Sequence, residues 1–322
     1  MPVVSTRDLT KTFPGVTALD RLTLDVGTGV TGLVGANGAG KSTLIKILLG
    51  LERPTSGHAR VLDLDVATHA QEIRRYVGYM PEHDCLVPDV SATDFVVHMA
   101  RMAGLPAASA RERTADTLRH VGLYEERYRL VGGYSTGMRQ RVKLAQALVH
   151  DPRLVFLDEP TNGLDPTGRD EMLDLIRRIG TEFGISVIVT SHLLGELERI
   201  CDHVVVIDGG RLLRASSTAE FTRVTPVLTV EVVAFDEAGP TNARDRMGQA
   251  LAARGLRVRA DGRCLAVDIA DERTYDVVRD TAAELQLGLV RMHQRRHRIA
   301  EVFRDGAATP ESEEESQHVG AP

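Results

Sequence analysis

No stretch of this 322-residue chain approaches the roughly 20 consecutive apolar residues needed to cross a bilayer as a helix. The opening decapeptide, Met1–Thr10, has neither a basic segment nor an apolar core, so no secretory leader is expected. These absences predict a cytoplasmic chain whose membrane role, if it has one, comes through a partner. Cysteine is scarce: Cys85, Cys201 and Cys264 are far apart, with no CxxC and no histidine at metal spacing. That excludes a disulfide framework and predicts buried or half-buried free thiols. Lysine is also rare, with only Lys11, Lys41, Lys46 and Lys143 among 39 basic residues, so each lysine is a candidate for a specific task. Internal repeats and sustained heptads are missing too. The net charge of −6 is nearly all in residues 305–322, where Asp305, Glu311, Glu313, Glu314 and Glu315 stand without a Lys or Arg. The remaining body is close to neutral, so no nucleic-acid partner is expected.

Two rhythms divide what is present. Over residues 1–221, apolar runs such as Leu154–Leu157, Ser186–Val189 and Val204–Ile207 lack alternation, as parallel strands covered on both faces do. Helical patterns lie between them. Asp165 precedes Pro166, a cap followed by proline at the first helical position, and Met172, Ile176, Ile179 and Phe183 then repeat at helical spacing. Ser91 with Asp94 marks another helix start, and residues 85–148 read as a helical subdomain inserted in an α/β domain. From 222 to 304 the pattern alternates instead. Leu228, Val230 and Val232, and then Leu265, Val267 and Ile269, read as half-buried strands. Residues 243–254 and 272–286 read as helices and 288–296 as a last strand. That β-α-β-β-α-β order predicts a small ferredoxin-like α+β domain. Residues 305–322, poor in apolar side chains, are expected to be disordered.

The chemistry is concentrated in the first region. Gly35-Ala36-Asn37-Gly38-Ala39-Gly40-Lys41-Ser42, followed by Thr43, fits G-x-x-x-x-G-K-[ST], the Walker A loop of a P-loop NTPase. It follows the apolar run Gly29–Val34 and leads into Leu44–Leu49, the strand–loop–helix context the motif needs. Glycines let the backbone curl so that N–H groups and the helix N-terminus meet phosphates. Lys41 then reaches the β/γ-phosphates of ATP and Ser42 faces Mg²⁺. Leu154–Leu157 ends in Asp158-Glu159, a Walker B strand in which Asp158 holds Mg²⁺ directly or through water. Glu159 stands where a carboxylate can orient or deprotonate the attacking water.

Further segments carry a resemblance to a known family. Tyr134-Ser135-Thr136-Gly137-Met138 resembles the LSGGQ signature of ABC (ATP-binding-cassette) ATPases, with Tyr for Leu, Thr for Gly and Met for Gln. Asn162-Gly163-Leu164-Asp165 resembles the D-loop, Thr190-Ser191-His192 the H-loop switch, and Phe13 the aromatic residue that meets adenine. Glu82, in Gly78-Tyr79-Met80-Pro81-Glu82, occupies the place of the Q-loop glutamine, where a carboxylate can still meet Mg²⁺ through water. The resemblance implies that Glu159, His192 and Lys41 are catalytic and that two cassettes pair head to tail. Each ATP then lies between one Walker A loop and the partner's signature loop, with Ser135 and Gly137, and Asp165 of the D-loop is a further nucleotide-binding residue. Ser135 as a helix N-cap offers an anion site suited to a γ-phosphate supplied from elsewhere. The Tyr-Ser-Thr-Gly-Met form, Glu82 and the second domain resemble ATPase subunits of ABC-2-type exporters, including those of drug resistance.

The reading that follows is an ATP-hydrolysing subunit, peripheral on the cytoplasmic face of the membrane, that powers export through a separate integral membrane permease. The alternatives are a soluble cassette acting on ribosomes or DNA, or the ATPase of an importer. Soluble cassettes usually carry two Walker A loops or a long coiled coil, and this chain has a single loop and no heptads. The transported molecule is not written in this chain, because substrate contacts belong to the permease.

Overall fold

The computed structural model describes residues 2–192, 194–221, 224–234 and 239–296. They fall into two compact units, one running to Ala219 and one starting at Glu220. The first begins with β1 (Val4–Phe13), β2 (Val16–Val26), β3 (Val30–Val34), α1 (Lys41–Leu48), β4 (Ser56–Val61) and β5 (Leu64–Asp65). It continues through α2 (Ala70–Tyr76), β6 (Val77–Met80), α3 (Ala92–Met102), α4 (Ala107–His120) and α5 (Thr136–Leu148). Then come β7 (Leu154–Asp158), α6 (Pro166–Glu182), β8 (Ser186–Thr190), α7 (Leu194–Ile200), β9 (His203–Asp208) and β10 (Arg211–Ser217). A short helix, α8 (Thr218–Phe221), spans the sequence boundary between the units.

Among the described residues the larger sheet has the order β10-β9-β3-β8-β7-β6. Its pairs are parallel except at the edge, where β10 runs antiparallel to β9. Every residue of β3, β7 and β8 is buried, which is why these strands read as unbroken apolar runs. With β3 beside β8 and β8 beside β7, the carboxyl ends of three core strands lie together, the place where open parallel sheets bind ligands. A second, antiparallel sheet has the order β2-β1-β4-β5. Between β6 and β7 the described residues form α3, α4, α5 and a 3₁₀ turn at Val131–Gly133. Ser91 caps α3 by accepting the Asp94 N–H at 3.0 Å and donating its hydroxyl to Asp94 Oδ2 at 2.6 Å.

The second unit holds β11 (Val224–Ala234), α9 (Gly239–Ala253), β12 (Val258–Asp261), β13 (Cys264–Asp268), α10 (Arg273–Glu284) and β14 (Leu287–Arg296). Its antiparallel sheet has the order β12-β13-β11-β14. Leu228, Val230, Val232, Leu265 and Val267 form the core with Met247 and Leu251 of α9 and Val278 and Ala282 of α10. Alternate strand positions bury one face of the sheet against the two helices.

Cys201 is buried and Cys264 half-buried, but Cys85 is exposed, which corrects the expectation for that thiol. Cys85 follows the β6 strand in a loop rather than in a regular element, so no packed layer covers it. The acidic segment 305–322 lies outside the described residues.

Candidate functional site

The Walker A loop begins where β3 ends. An added Cβ at Gly35 would stand 2.5 Å from the Ile207 carbonyl oxygen, so only glycine lets the loop pass β9 at this distance. Gly40 has φ +101°, and a Cβ there would meet the Ala18 carbonyl oxygen at 2.4 Å. It caps α1 without a side-chain hydrogen bond. The first-turn N–H groups of Lys41, Ser42 and Thr43 therefore have no acceptor within the helix or on its cap. Lys41 is buried and donates its ammonium to the carbonyls of Gly35 at 2.7 Å and Ala36 at 3.2 Å. A loop wrapped round an ammonium, leading into first-turn N–H groups that have no helical acceptor, is a cradle that fits a polyphosphate.

Opposite the loop, Ser42 donates its hydroxyl to Asp158 Oδ2 at 3.2 Å. Thr190, the residue paired with Asp158 in the β7–β8 register, donates to Asp158 Oδ1 at 2.7 Å. Its oxygen also accepts the Glu159 N–H at 2.9 Å. Glu159 has φ +50°, a left-handed backbone that costs a non-glycine residue about 1–2 kcal/mol. The Thr190 bond holds it there, and its carboxylate is brought into the cleft. His192 Nδ1 lies 2.9 Å from Glu159 Oε2. The Glu159 side chain is only 10% exposed while His192 is 54% exposed, so the carboxylate is fixed and the imidazole has room to move. Both line a cleft of about 660 Å³ with Asn37–Thr43, Glu82, Asp158, Asn162, Val16 and Ala18, within the size range of small-molecule sites. A serine hydroxyl and a carboxylate converging at the cradle form an oxygen set that suits a hard divalent cation.

Glu82 is on this cleft, and its Oε1 accepts from Asn162 Nδ2 at 3.5 Å. Lys143, buried on α5, donates to the Glu82 backbone carbonyl at 2.8 Å. Burial pushes the Lys143 ammonium below its ordinary range, and the acidic groups of Cys85, Asp84, Glu82 and Asp158 act in the opposite sense. Burial also pushes the Tyr79 phenol up to about 12, with the Asp158 charge adding to the shift.

Phe13 does not line the cleft, but its register partner across the β1–β2 turn, Val16, does. Lys11 places its ammonium 4.7 Å from the Phe13 ring centroid and is itself held by Glu52 Oε2 at 3.0 Å.

Ser135, Gly137 and Asp165 are elsewhere. Ser135 caps α5, accepting the Met138 N–H at 3.3 Å, and Asp165 caps α6, accepting the Gly168 N–H at 3.2 Å. They line a separate cleft with Met138, Arg141 and Gly163, which shares no residue with the Walker A cleft. One chain thus keeps the two sets apart.

Sequence reasoning named Thr190 only as the start of the H-loop segment, with no role of its own, and did not single out Glu196. The buried Glu196 accepts from Thr161 at 2.8 Å and Ser191 at 3.0 Å and meets Arg169 at 3.1 Å. It ties the segment after Glu159 to the one before His192. A single glutamate in the first turn of a helix reads as a dipole partner, and nothing in the local pattern showed that it would be buried.

A family model described as "ABC transporter" matches residues 19–162. The daunorubicin/doxorubicin resistance ATP-binding protein DrrA of Streptomyces peucetius is 39% identical over 218 residues, 67% of this chain and 66% of that protein. The bacitracin transport ATP-binding protein BcrA of Bacillus licheniformis is also 39% identical, over 66% of this chain and 68% of its own. Both alignments span about two thirds of the relative's length. The methionine import ATP-binding protein MetN of Caulobacter vibrioides is 32% identical over 309 residues, 91% of this chain and 88% of that protein. Among solved structures, cbiO1 of Clostridium perfringens, part of the ABC transporter complex cbiONQ, is similar with TM-score 0.63 and 28% identity, covering 68% of this chain and 90% of its own.

Proposed function

The chain belongs to the ABC transporter family as an ATP-binding, ATP-hydrolysing subunit, and from that premise we propose that it powers export through a separate membrane permease. The observation that carries the site is the convergence of Ser42, Asp158, Glu159 and His192 on the cleft above the Walker A loop. The phosphates of ATP lie on the first-turn N–H groups of α1. Lys41 exchanges the Gly35 and Ala36 carbonyls for phosphate oxygens, a charge-assisted bond replacing two neutral ones. Ser42 and Asp158 would hold Mg²⁺, with Glu82 on the same cleft, and the ion would supply charge neutralisation to the phosphates. Glu159 orients the attacking water and receives its proton. His192 steadies the Glu159 carboxylate from the solvent side and is free to swing toward the γ-phosphate. The adenine rests against the end of the β1–β2 hairpin, with Phe13 as its aromatic surface.

Ser135, Gly137 and Asp165 serve a second copy. The separation of the two clefts supports a head-to-tail pair in which the partner's α5 N-terminus meets the γ-phosphate. No helix among the described residues is long and apolar enough to cross a membrane; the likeness to transporter ATP-binding proteins supports a subunit that works on the cytoplasmic face through its permease. The similarity to DrrA and BcrA, over about two thirds of this chain, favours export. One observation favours import: the alignment with MetN runs on through the second unit. Affinity purification of the full chain from its own membranes decides between them. A six-helix permease alone supports export, and a permease that also recruits an external binding protein supports import. A purified chain that neither binds nor hydrolyses MgATP overturns the whole reading.

A further inference from the structure

Two of the four lysines are buried, Lys41 on the nucleotide cleft and Lys143 beside it, where a charge is costly. Lys143 is 3% exposed and is the middle member of a row on α5. Gln140 Nε2 donates to the Asn162 carbonyl at 3.1 Å, Lys143 Nζ to the Glu82 carbonyl at 2.8 Å, and Gln146 Nε2 to the Tyr79 carbonyl at 2.6 Å. The spacing of three puts all of them on one helix face. The flanking positions fasten the same kind of acceptor with neutral amides, so fastening a carbonyl does not itself require a cation. What differs at the middle position is the charge around it. Glu82 shares its cleft with Asp158 and Glu159, and the Lys143 ammonium is within electrostatic reach of Cys85, Asp84, Glu82 and Asp158. Asp84 already faces the Arg139 guanidinium at 3.8 Å. Three carboxylates on one cleft repel each other and any polyphosphate placed between them.

We propose that Lys143 is a positioning residue whose fixed charge offsets the Glu82 carboxylate, so that an acidic side chain can stand on the cleft without driving the nucleotide's phosphates away. The inference rests on the nucleotide reading of that cleft. It makes the need for a cation at 143 depend on the charge at 82, which a purely structural lysine would not.

The test uses four full-length proteins: wild type, Lys143→Gln, Glu82→Gln and the double variant. Glutamine at 143 can still donate to the Glu82 carbonyl, as its helix neighbours do, but carries no charge. ATP binding is measured by calorimetry in EDTA, so that no divalent ion masks the repulsion, and MgATP hydrolysis is followed in parallel. Lys143→Gln should weaken metal-free ATP binding roughly fivefold when residue 82 is Glu and less than about twofold when it is Gln. Equal losses in both backgrounds, or no loss in either, overturn the proposal. If Lys143→Gln alone does not fold, the double variant must fold and melt near Glu82→Gln, and an unfolded double variant overturns it as well. A wild-type chain that does not bind ATP removes the nucleotide reading itself. Normal binding with losses indifferent to residue 82 removes only the role of Lys143.

Discussion

Thr190 and Asp158 face each other across the β7–β8 register, and the threonine hydroxyl donates to Asp158 Oδ1 at 2.7 Å while its oxygen accepts the Glu159 N–H at 2.9 Å. One fully buried hydroxyl thus orients both acidic residues of the site and secures the left-handed backbone at Glu159. Thr190→Val keeps the shape and removes both bonds, leaving the Glu159 N–H buried without its partner. The expected cost is about 1–3 kcal/mol of stability, read by urea unfolding. Hydrolysis should fall by more than ATP affinity does, because the phosphate cradle is untouched. Unchanged unfolding would show that the hydroxyl is dispensable.

Glu159→Gln should abolish steady-state hydrolysis and preserve ATP binding. The amide cannot accept a proton from water, while Lys41 and the first-turn N–H groups remain. The nucleotide-bound dimer should also live longer, which size-exclusion chromatography with ATP reports. Turnover near the wild-type rate would remove Glu159 from its role.

The parallel core was legible because its strands are buried on both faces: Leu154–Leu157 and Ser186–Val189 have no alternation to confuse with a helix or a hairpin. The second unit's strands were legible for the opposite reason, since Leu228, Val230 and Val232 alternate cleanly with residues on the open face. The sheet of β1, β2, β4 and β5 escaped sequence reading. Its register shifts between Thr6 and Leu9 and again before Lys11, and Asp8 and Arg21 have positive φ. Each bulge resets the period of two that marks a strand. In the site, the residues read from the motifs that converge on the cleft each follow a core strand: Lys41 and Ser42 after β3, Asp158 and Glu159 at the end of β7, His192 after β8. What pattern could not supply was long-range pairing, such as Glu196 closing on Thr161 and Lys143 on Glu82. These meetings are set by the packing of α7 and α5, not by any local spacing.

A chain ending after Ala219 should fold and bind ATP, because the Walker A cleft is built entirely from residues before that point. Among the described residues the second unit has its own apolar core of eleven buried side chains, which should let it fold separately. Circular dichroism melts of the two fragments check this. A cassette fragment that does not fold would show that the units share stabilising structure.

The proposed composite site would separate this protein from any self-contained P-loop enzyme. Ser135 lies on a cleft that contains neither Lys41 nor Asp158, and in the proposed pair its hydroxyl would serve a nucleotide held by the other chain. Ser135→Arg should leave ATP binding by the monomer intact and collapse hydrolysis, because the developing charge on the transferred phosphoryl group loses preorganised donors. Lys41→Ala should fail for a different reason, losing affinity as the phosphates lose their buried cation. Each variant alone should be inactive. Mixed, they form a dimer with one complete site, Lys41 from one chain and Ser135 from the other, and turnover should reappear to the extent that one site can work alone. Cooperation between sites can hold that turnover down, so a second readout accompanies it: cysteines placed at Ser135 and Asn37 should cross-link between chains only when ATP is present. A Ser135→Arg chain that hydrolyses ATP at the wild-type rate would sink the head-to-tail arrangement. An ATP-dependent cross-link between chains would place the α5 N-terminus of one chain over the Walker A loop of the other.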